Sequence, residues 1–218
     1  MAASRRALGR RWITDRRAAM ADNAGSAPTG PGRGEATRWA EEVTGDPRTV
    51  YLDTETTGLG SDAEVIDIAV VAANGRVLLD TLVRPTQPIP AAASRVNGIR
   101  DADVGTAPHW LDVHAVLVPL LEARRVIVYN AAFDRRMVAQ TCGRHDLRVP
   151  DAIWDCAMLG YARFRGEMNA SQRGYRWHRL DHAVLSFGAT PGGHRALGDA
   201  LACRQVVAGM AIAFEVRR

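Results

Sequence analysis

The 218-residue sequence has no lysine, only three cysteines and no long hydrophobic run. A membrane-spanning helix needs about 20 consecutive apolar residues. The most apolar stretches, residues 65–73 and 113–121, are each shorter and interrupted by a charge, a histidine or a proline. We therefore expect no membrane span. The cysteines are too far apart for a redox pair or a zinc knuckle, and no apolar signal segment follows the first arginines. These absences together predict a cytoplasmic protein.

The net charge of +4 is distributed unevenly along the chain. Residues 1–34 contain seven arginines and two aspartates, whereas the remaining residues contain 21 arginines and 22 acidic residues. The basic excess thus belongs to the N-terminal segment and is weak evidence for a polyanionic partner of the rest. Up to about residue 47 the sequence is rich in Ala, Arg, Gly and Pro. We expect a flexible basic extension over 1–47, or a true start nearer Met20, and one folded domain over 48–218.

Hydrophobic patterning in residues 48–218 predicts alternating strands and helices. Strands are expected at 49–53, 65–73, 77–83 and 126–129 and from 153, with Asn74-Gly75 forming a hairpin turn. Helices are expected from a cap at Thr106 to an interruption at Pro119, and at 131–144, 180–187 and 195–214. A hairpin followed by alternating helices and strands is typical of an α/β domain with a mixed sheet.

Four acidic residues occupy positions where apolar side chains are expected. Asp53 and Glu55 lie two apart at a strand end, so both point to the same side. Asp134 and Asp199 each fall on a mostly apolar helical stripe, with no arginine one turn further along it. Any one of them alone could be a cap, a turn residue or a solvated edge. Together they favour a shared hard divalent cation, Mg²⁺ or Mn²⁺, because an ionised carboxylate is costly to bury without a partner.

Three short motifs resemble those of a known enzyme family. The segments DTETTG (53–58), NAAFD (130–134) and HRALGD (194–199) are similar to the three exonuclease motifs of the DEDDh 3′–5′ exonucleases. That family includes the proofreading epsilon subunit of bacterial DNA polymerase III, ribonuclease T and oligoribonuclease. The motifs occur in the family's order, and the resemblance covers about residues 48–215. It implies a ribonuclease-H-like fold, in which a mixed five-stranded sheet is flanked by helices.

The resemblance also implies roles for the charged residues. Asp53, Glu55, Asp134 and Asp199 are expected to hold two divalent cations, and His194 is expected to act as the general base. Histidine suits that task because its ordinary pKa, near 6.5, lets it accept a proton at neutral pH. Since His194 precedes Asp199 by five residues, it should lie ahead of the helix, in a loop that orders when substrate and metal bind.

Further residues in and near the motifs are expected to contact the nucleic acid. Gly58 permits close approach of the backbone, Leu59 corresponds to a family residue that packs on the terminal base, and Phe133 could stack on that base or belong to the core. Asn97 stands where the family often has a histidine. The expected substrate-binding residues are Thr56, Gly58, Leu59, Asn130 and Phe133.

Two weaker signals lie between residues 161 and 182. The stretch 161–179 contains five arginines and one acid, interleaved with aromatic residues. This pattern suits single-stranded nucleic acid, through stacking and phosphate contacts, but it equally suits a solvated loop. His178 and His182 have the spacing of a zinc-binding pair. They lack the intervening glutamate of a zinc protease and an evident third ligand, which makes a zinc site the weaker interpretation.

These observations and the resemblance predict a metal-dependent 3′–5′ exonuclease that releases nucleoside 5′-monophosphates from the 3′ ends of single-stranded DNA or RNA. The 3′–5′ direction is implied by the resemblance alone. DNA is favoured because the first two motifs look closest to those of proofreading enzymes. The chain ends without a glutamine-leucine clamp-binding motif, so a replicative proofreading role is not supported. A polymerase or repair partner and a stand-alone role stay open. Alternatives are an exoribonuclease acting on short RNA or RNA 3′ ends, and a catalytically silent nucleic-acid-binding module. A phosphotransferase with Asp53 as nucleophile would instead call for a DxD motif.

Overall fold

A mixed five-stranded sheet forms the centre of the protein in the computed structural model, which describes residues 31–213. The strands are β1 (Val50–Thr56), β2 (Val65–Ala72), β3 (Val77–Leu82), β4 (Arg125–Val128) and β5 (Ile153–Cys156). The helices are α1 (Pro31–Gly45), α2 (Ala91–Asn97), α3 (Asp101–Val104), α4 (Trp110–Leu121), α5 (Ala131–Arg144), α6 (Ala157–Arg165), α7 (Leu180–Leu185) and α8 (Ala196–Ile212). The predicted mixed five-stranded sheet with flanking helices is confirmed.

The strand order is β3-β2-β1-β4-β5. β1 and β3 each pair with β2 in antiparallel fashion, whereas β4 is parallel to both β1 and β5. The predicted Asn74-Gly75 turn joins β2 to β3, with Gly75 at a φ of +87° that favours glycine. Because β1 and β4 run in the same direction, their carboxyl ends meet at one edge of the sheet.

The two faces of the sheet bury different sets of helices, and successive residues of β1 point to opposite faces. Leu52 packs with α4 and α5, in a cluster that includes Leu117 and Met137. Tyr51 packs with α1, α6, α7 and α8, in a cluster that includes Val206. The alternation therefore directs the side chains of residues 53 and 55 to the face that α8 covers.

Helix α1 occupies part of the segment that the sequence predicts to be flexible. Ala36, Ala40 and Val43 are buried against α6 and α8, and Trp39 Nε1 donates a 3.1 Å hydrogen bond to Asp155 Oδ2. The prediction of a flexible extension is thus wrong for residues 31–45, because small apolar residues at helical spacing are inconspicuous in a glycine-rich stretch. Residues 1–30, to which the same prediction applies, lie outside the described residues.

Helix α4 differs from its predicted form at both ends. It begins after His109, whose backbone N–H donates a 3.2 Å hydrogen bond to the Asp112 carboxylate, rather than after Thr106. It continues past Pro119 to Leu121. A proline in the last turn removes a single backbone donor, so the helix is not interrupted there. Helices α2, α3 and α6 were not predicted.

No helix within residues 31–213 combines the length and apolar character needed to cross a membrane.

Candidate active site

Three acidic side chains converge at the carboxyl end of β1. Asp53 and Glu55 project from β1, and Asp199 projects from the first turn of α8. One carboxylate oxygen from each lies within 4.8 Å of the others. The structure thus brings together three of the four acids expected to bind metal, on the face that strand alternation predicts.

These three carboxyl groups are electrostatically strained. Burial raises the pKa of Asp53 well above its ordinary value, and the charges of Asp134, Asp199 and Glu55 raise it further. Burial, followed by the charges of Asp199 and Asp67, raises the pKa of Glu55 to about 7. Burial also raises the pKa of Asp199. None of the three forms an ion pair with a basic side chain within the described part of the chain.

Asp134 lies beside this trio but is held differently. It is 4% exposed in the first turn of α5, and its Oδ1 accepts hydrogen bonds from Thr54 N at 3.0 Å and Thr54 Oγ1 at 2.8 Å. Burial raises its pKa to about 7, against the opposing effect of the two Thr54 bonds. Thr54 stands between Asp53 and Glu55, so these bonds fix Asp134 to the same strand from the opposite face. Asp134 is not part of the group whose oxygens lie within 4.8 Å.

The donor set fits a hard divalent cation. Asp53, Glu55 and Asp199 offer only oxygen atoms, and their charges repel one another. The charges of Arg195 and His194 oppose this repulsion, but neither residue forms an ion pair with the three acids. A divalent cation held by these groups would stabilise their ionised forms and so reverse the upward pKa shifts. Asp134 would support such a site through the carboxylate that Thr54 orients.

His194 lies in a turn immediately ahead of α8, as the spacing predicts. It is partly exposed, its φ of +56° is unusual for a residue other than glycine, and its charge lowers the pKa of Asp199. A Cβ atom at Gly192 would collide with Gly198 and with the Asp199 carboxylate. The backbone of the histidine loop therefore rests directly on the first turn of α8. Ordering of this loop on substrate binding stays a prediction.

Asp67 anchors the start of α8. It is 1% exposed and pairs with Glu55 across the β1–β2 ladder. Its Oδ2 accepts hydrogen bonds from Arg195 Nε at 2.8 Å and from Ala196 N at 3.2 Å. The sequence alone does not identify Arg195 as the partner of Asp67. The sequence does show that Asp67 is an acid in an otherwise apolar strand. A buried acid of this kind requires a basic partner from elsewhere in the chain.

Leu59 and Phe133 are both contacted by Arg136, and we call this pair the Leu59 wall. The Leu59 side chain is 77% exposed, and its carbonyl accepts hydrogen bonds from the Arg136 guanidinium at 3.3 and 3.4 Å. The same guanidinium lies 5.4 Å from the centre of the Phe133 ring. Phe133 is partly buried against the core, so part of its ring also serves packing.

The other expected substrate-binding residues shape the loop after β1. Thr56 Oγ1 donates a 2.7 Å hydrogen bond to Gly58 O. A Cβ atom at Gly58 would meet only Ala63, at 4.0 Å, so packing within the protein does not require glycine there. Asn130 is exposed at the start of α5 and makes no side-chain cap. Asn97 donates a 3.3 Å hydrogen bond to Thr56 O and thereby connects its own loop to the end of β1.

His178 and His182 stack face to face, with ring centres 5.1 Å apart. Burial lowers the pKa of His178. Among the residues that the structure describes, the pair does not join a third potential ligand in a metal-binding group. The zinc interpretation therefore gains no support from the described residues.

Comparisons with known proteins agree with this geometry. A family model described as Exonuclease, RNase_T, matches residues 50–207. The uncharacterized exonuclease CP81 of Escherichia phage 186 is 39% identical over 180 residues, which cover 79% of this chain and 88% of that protein. A DNA polymerase III subunit epsilon-like protein of Rhodobacter capsulatus is 31% identical over 194 residues, covering 85% of this chain and 27% of that protein.

A solved structure extends the comparison to three dimensions. Exonuclease X in complex with 5′ overhanging duplex DNA is 25% identical, with a TM-score of 0.54, and the match covers 77% of this chain and 92% of that one. The family match, the phage relative and this shared fold show that the chain belongs to the RNase_T family of exonucleases.

Proposed function

We propose that this exonuclease is metal-dependent, acts in the 3′–5′ direction and releases nucleoside 5′-monophosphates, with DNA as the favoured substrate. The observation that carries the proposal is the convergence of Asp53, Glu55 and Asp199 without a basic partner among the described residues. A structural ion-pair network would have compensated these charges within the protein. Their charge is instead left to be compensated by cations, which can in turn hold a phosphodiester group.

Each residue then has a defined task. Asp53, Glu55 and Asp199, supported by Asp134, hold two divalent cations. Two such ions supply electrostatic stabilisation to the attacking and the leaving oxygen of a phosphodiester. His194, beside Asp199 and partly exposed, accepts the proton of the attacking water. The left-handed turn that precedes α8 keeps the imidazole outside the helix, where it can reach solvent and substrate.

The terminal nucleotide is assigned to the Leu59 wall. The exposed Leu59 side chain packs on the terminal base, and the free edge of the Phe133 ring adds to this surface. Thr56 and Gly58 hold the loop that presents Leu59, and the uncapped Asn130 amide is available to the nucleotide. The name of the epsilon-like relative supports a polymerase as a partner, and the exonuclease X complex with 5′ overhanging duplex DNA supports DNA as the substrate. A repair partner stays a prediction.

A gel assay tests this proposal. Single-stranded DNA and RNA of one sequence, labelled at the 5′ end, are incubated with the protein in Mg²⁺, Mn²⁺ or EDTA. We expect a ladder that shortens from the 3′ end, requires a divalent cation and forms faster on DNA. Asp53→Asn and His194→Ala should abolish it, whereas Asp80→Asn, which changes an exposed carboxylate on β3, should not.

Each departure from that pattern has a definite meaning. Digestion in EDTA would contradict the proposed requirement for a divalent cation. Shortening from the 5′ end would contradict the proposed 3′–5′ direction. Faster digestion of RNA would replace DNA as the substrate. Binding of both strands without digestion would favour the silent module.

A further inference from the structure

Residues 166–179, between α6 and α7, form an ordered hairpin, which we call hairpin 166–179. Asn169 N donates a 2.8 Å hydrogen bond to Gly174 O, and Arg176 N donates a 2.7 Å hydrogen bond to Glu167 O. Met168 and Tyr175 form an antiparallel bridge between these two bonds. The arginine-rich stretch is therefore a built structure with a fixed turn, rather than an irregular loop.

The root of the hairpin is attached to the body of the protein at three places. Tyr129, which directly follows β4, donates a 3.0 Å hydrogen bond from its hydroxyl to His178 O. Tyr175 packs against Gly32 of α1, where a side chain would collide with its hydroxyl. Glu167, the only acid in the hairpin, accepts a 3.0 Å hydrogen bond from Arg165 Nε. These contacts hold both limbs in place.

The outward side of hairpin 166–179 is basic and aromatic. Trp177 is 66% exposed. Arg173, Arg176 and Arg179 are exposed, and none forms an ion pair with an acidic residue anywhere in residues 31–213. Such a tryptophan contributes little to folding, since burial is what stabilises an apolar side chain. Charges and ring are thus available to a ligand.

The hairpin emerges at the edge of the sheet that carries the acids. Tyr129 marks the carboxyl end of β4, which runs parallel to β1, so it lies at the same edge as Asp53 and Glu55. The helix that follows the hairpin, α7, packs through Val184 on α8, the helix that carries Asp199. Hairpin 166–179 follows α6 and lies on the face of the sheet to which the acids point, whereas Phe133 of the Leu59 wall belongs to α5 on the other face.

We propose that hairpin 166–179 binds the single strand that leads into the active site, with Trp177 stacked on a base and the three arginines on phosphates. Aromatic rings and arginines in alternation bind single strands of any sequence, because every base has a π-face and every link a phosphate. Arginine suits the phosphate contacts because its guanidinium donates paired hydrogen bonds. The inference rests on the proposed exonuclease function and deepens it, by assigning the strand upstream of the terminal nucleotide to this surface.

The test measures binding of fluorescent dT12 by anisotropy, in an Asp53→Asn background that prevents cleavage. Trp177→Ala should weaken binding about tenfold, and Trp177→Phe, which keeps a stacking ring, should restore most of it. Arg173→Ala with Arg176→Ala should reduce the slope of log affinity against log salt by about 1.4, because each single-strand phosphate contact contributes about 0.7. Without the Asp53→Asn change, Trp177→Ala and the double arginine variant should raise KM and keep kcat within about twofold of the wild-type value.

Two matched controls lie at the opposite edge of the sheet. Arg48→Ala with Arg76→Ala removes the same charge next to the amino end of β1 and at the β2–β3 turn. Ile153→Ala truncates an apolar residue that is also 66% exposed. If the wild type binds and digests DNA but the hairpin variants behave like these controls, the inference about the hairpin is overturned and the proposed function is not. A wild type that neither binds nor digests would instead overturn the proposed function.

Discussion

Two groups of acidic residues lie near β1 and β2, and they differ in how their charge is compensated. Glu64 is 2% exposed and accepts hydrogen bonds from Thr86 N at 3.0 Å and Thr86 Oγ1 at 2.9 Å. Asp67 is equally buried and pairs with Arg195. Asp53 and Glu55, which lie 9 to 14 residues earlier in the sequence, have mainly other carboxylates as neighbours. Buried acids that serve the fold are compensated within the protein, whereas those assigned to catalysis are left for a cation.

The largest effect should come from the uncompensated group. Glu55→Gln should lower the rate of DNA digestion by at least about 10³-fold, equivalent to about 4 kcal/mol, because it removes one charged cation ligand. Its melting temperature should stay unchanged or rise, since one of several repelling charges is lost. Initial rates and thermal unfolding measure the two quantities. A lower melting temperature with normal activity would place Glu55 in the compensated group, whose acids serve the fold.

The compensated group should respond in the opposite way. Glu64→Ala leaves the Thr86 donors unsatisfied and should lower the free energy of unfolding by about 3 kcal/mol, or the melting temperature by about 6–12 °C. Activity per folded molecule at 20 °C should be retained. Glu41→Ala, at an exposed position of α1, should change stability by less than about 0.5 kcal/mol. Loss of activity without loss of stability would instead assign Glu64 a catalytic role, like that of the uncompensated group.

Cation binding should sharpen the comparison as a function of pH. Folding raises the pKa values of Glu55 and Asp134 to about 7, so in EDTA their contribution to stability is present below about pH 4 and lost as the pH rises to about 7. Mn²⁺ at about 100 times its Kd should then add about 2.7 kcal/mol at pH 8 and much less at pH 5. Melting curves of wild type and Glu55→Gln measure this difference. Equal Mn²⁺ stabilisation at both pH values would contradict it.

Asp67 tests the boundary between the two groups with the smallest expected effect. Asp67→Asn keeps an acceptor for Ala196 N but loses the ion pair with Arg195, which positions the turn bearing His194. We expect kcat to fall about tenfold, or about 1.4 kcal/mol, with KM unchanged and a melting temperature only a few degrees lower. Steady-state kinetics beside thermal melts provide both numbers. A loss as large as that of Glu55→Gln would make Asp67 part of the cation site itself.

Much of the arrangement could be predicted from local patterns in the sequence. The two-residue period of a strand places Asp53 and Glu55 on one side, and the Asn74-Gly75 pair predicts the hairpin. The five-residue separation of His194 from Asp199 places the histidine ahead of its helix. Each of these inferences depends only on neighbours along the chain.

Features that depend on long-range pairing could not be predicted in this way. The Asp67–Arg195 pair spans 128 positions and requires the strand register that sets Asp67 opposite Glu55. The bonds from Thr54 to Asp134 require α5 to pack on the opposite face of β1. In both cases the partner is chosen by the fold, so the sequence shows an acid but not what compensates it.

Helix α1 has a practical consequence for anyone shortening this protein. The family match begins at residue 50, five residues after the end of α1 at Gly45. Helix α1 nevertheless buries Ala36, Ala40 and Val43 against α6 and α8. A chain trimmed to the family boundary would expose that apolar seam, along with Asp155 and Arg125, which lose their contacts to Trp39 and Glu42. Such a fragment would keep every residue assigned to catalysis but would expose an apolar patch that favours aggregation. The segment that the family model matches is thus shorter than the segment that this fold needs.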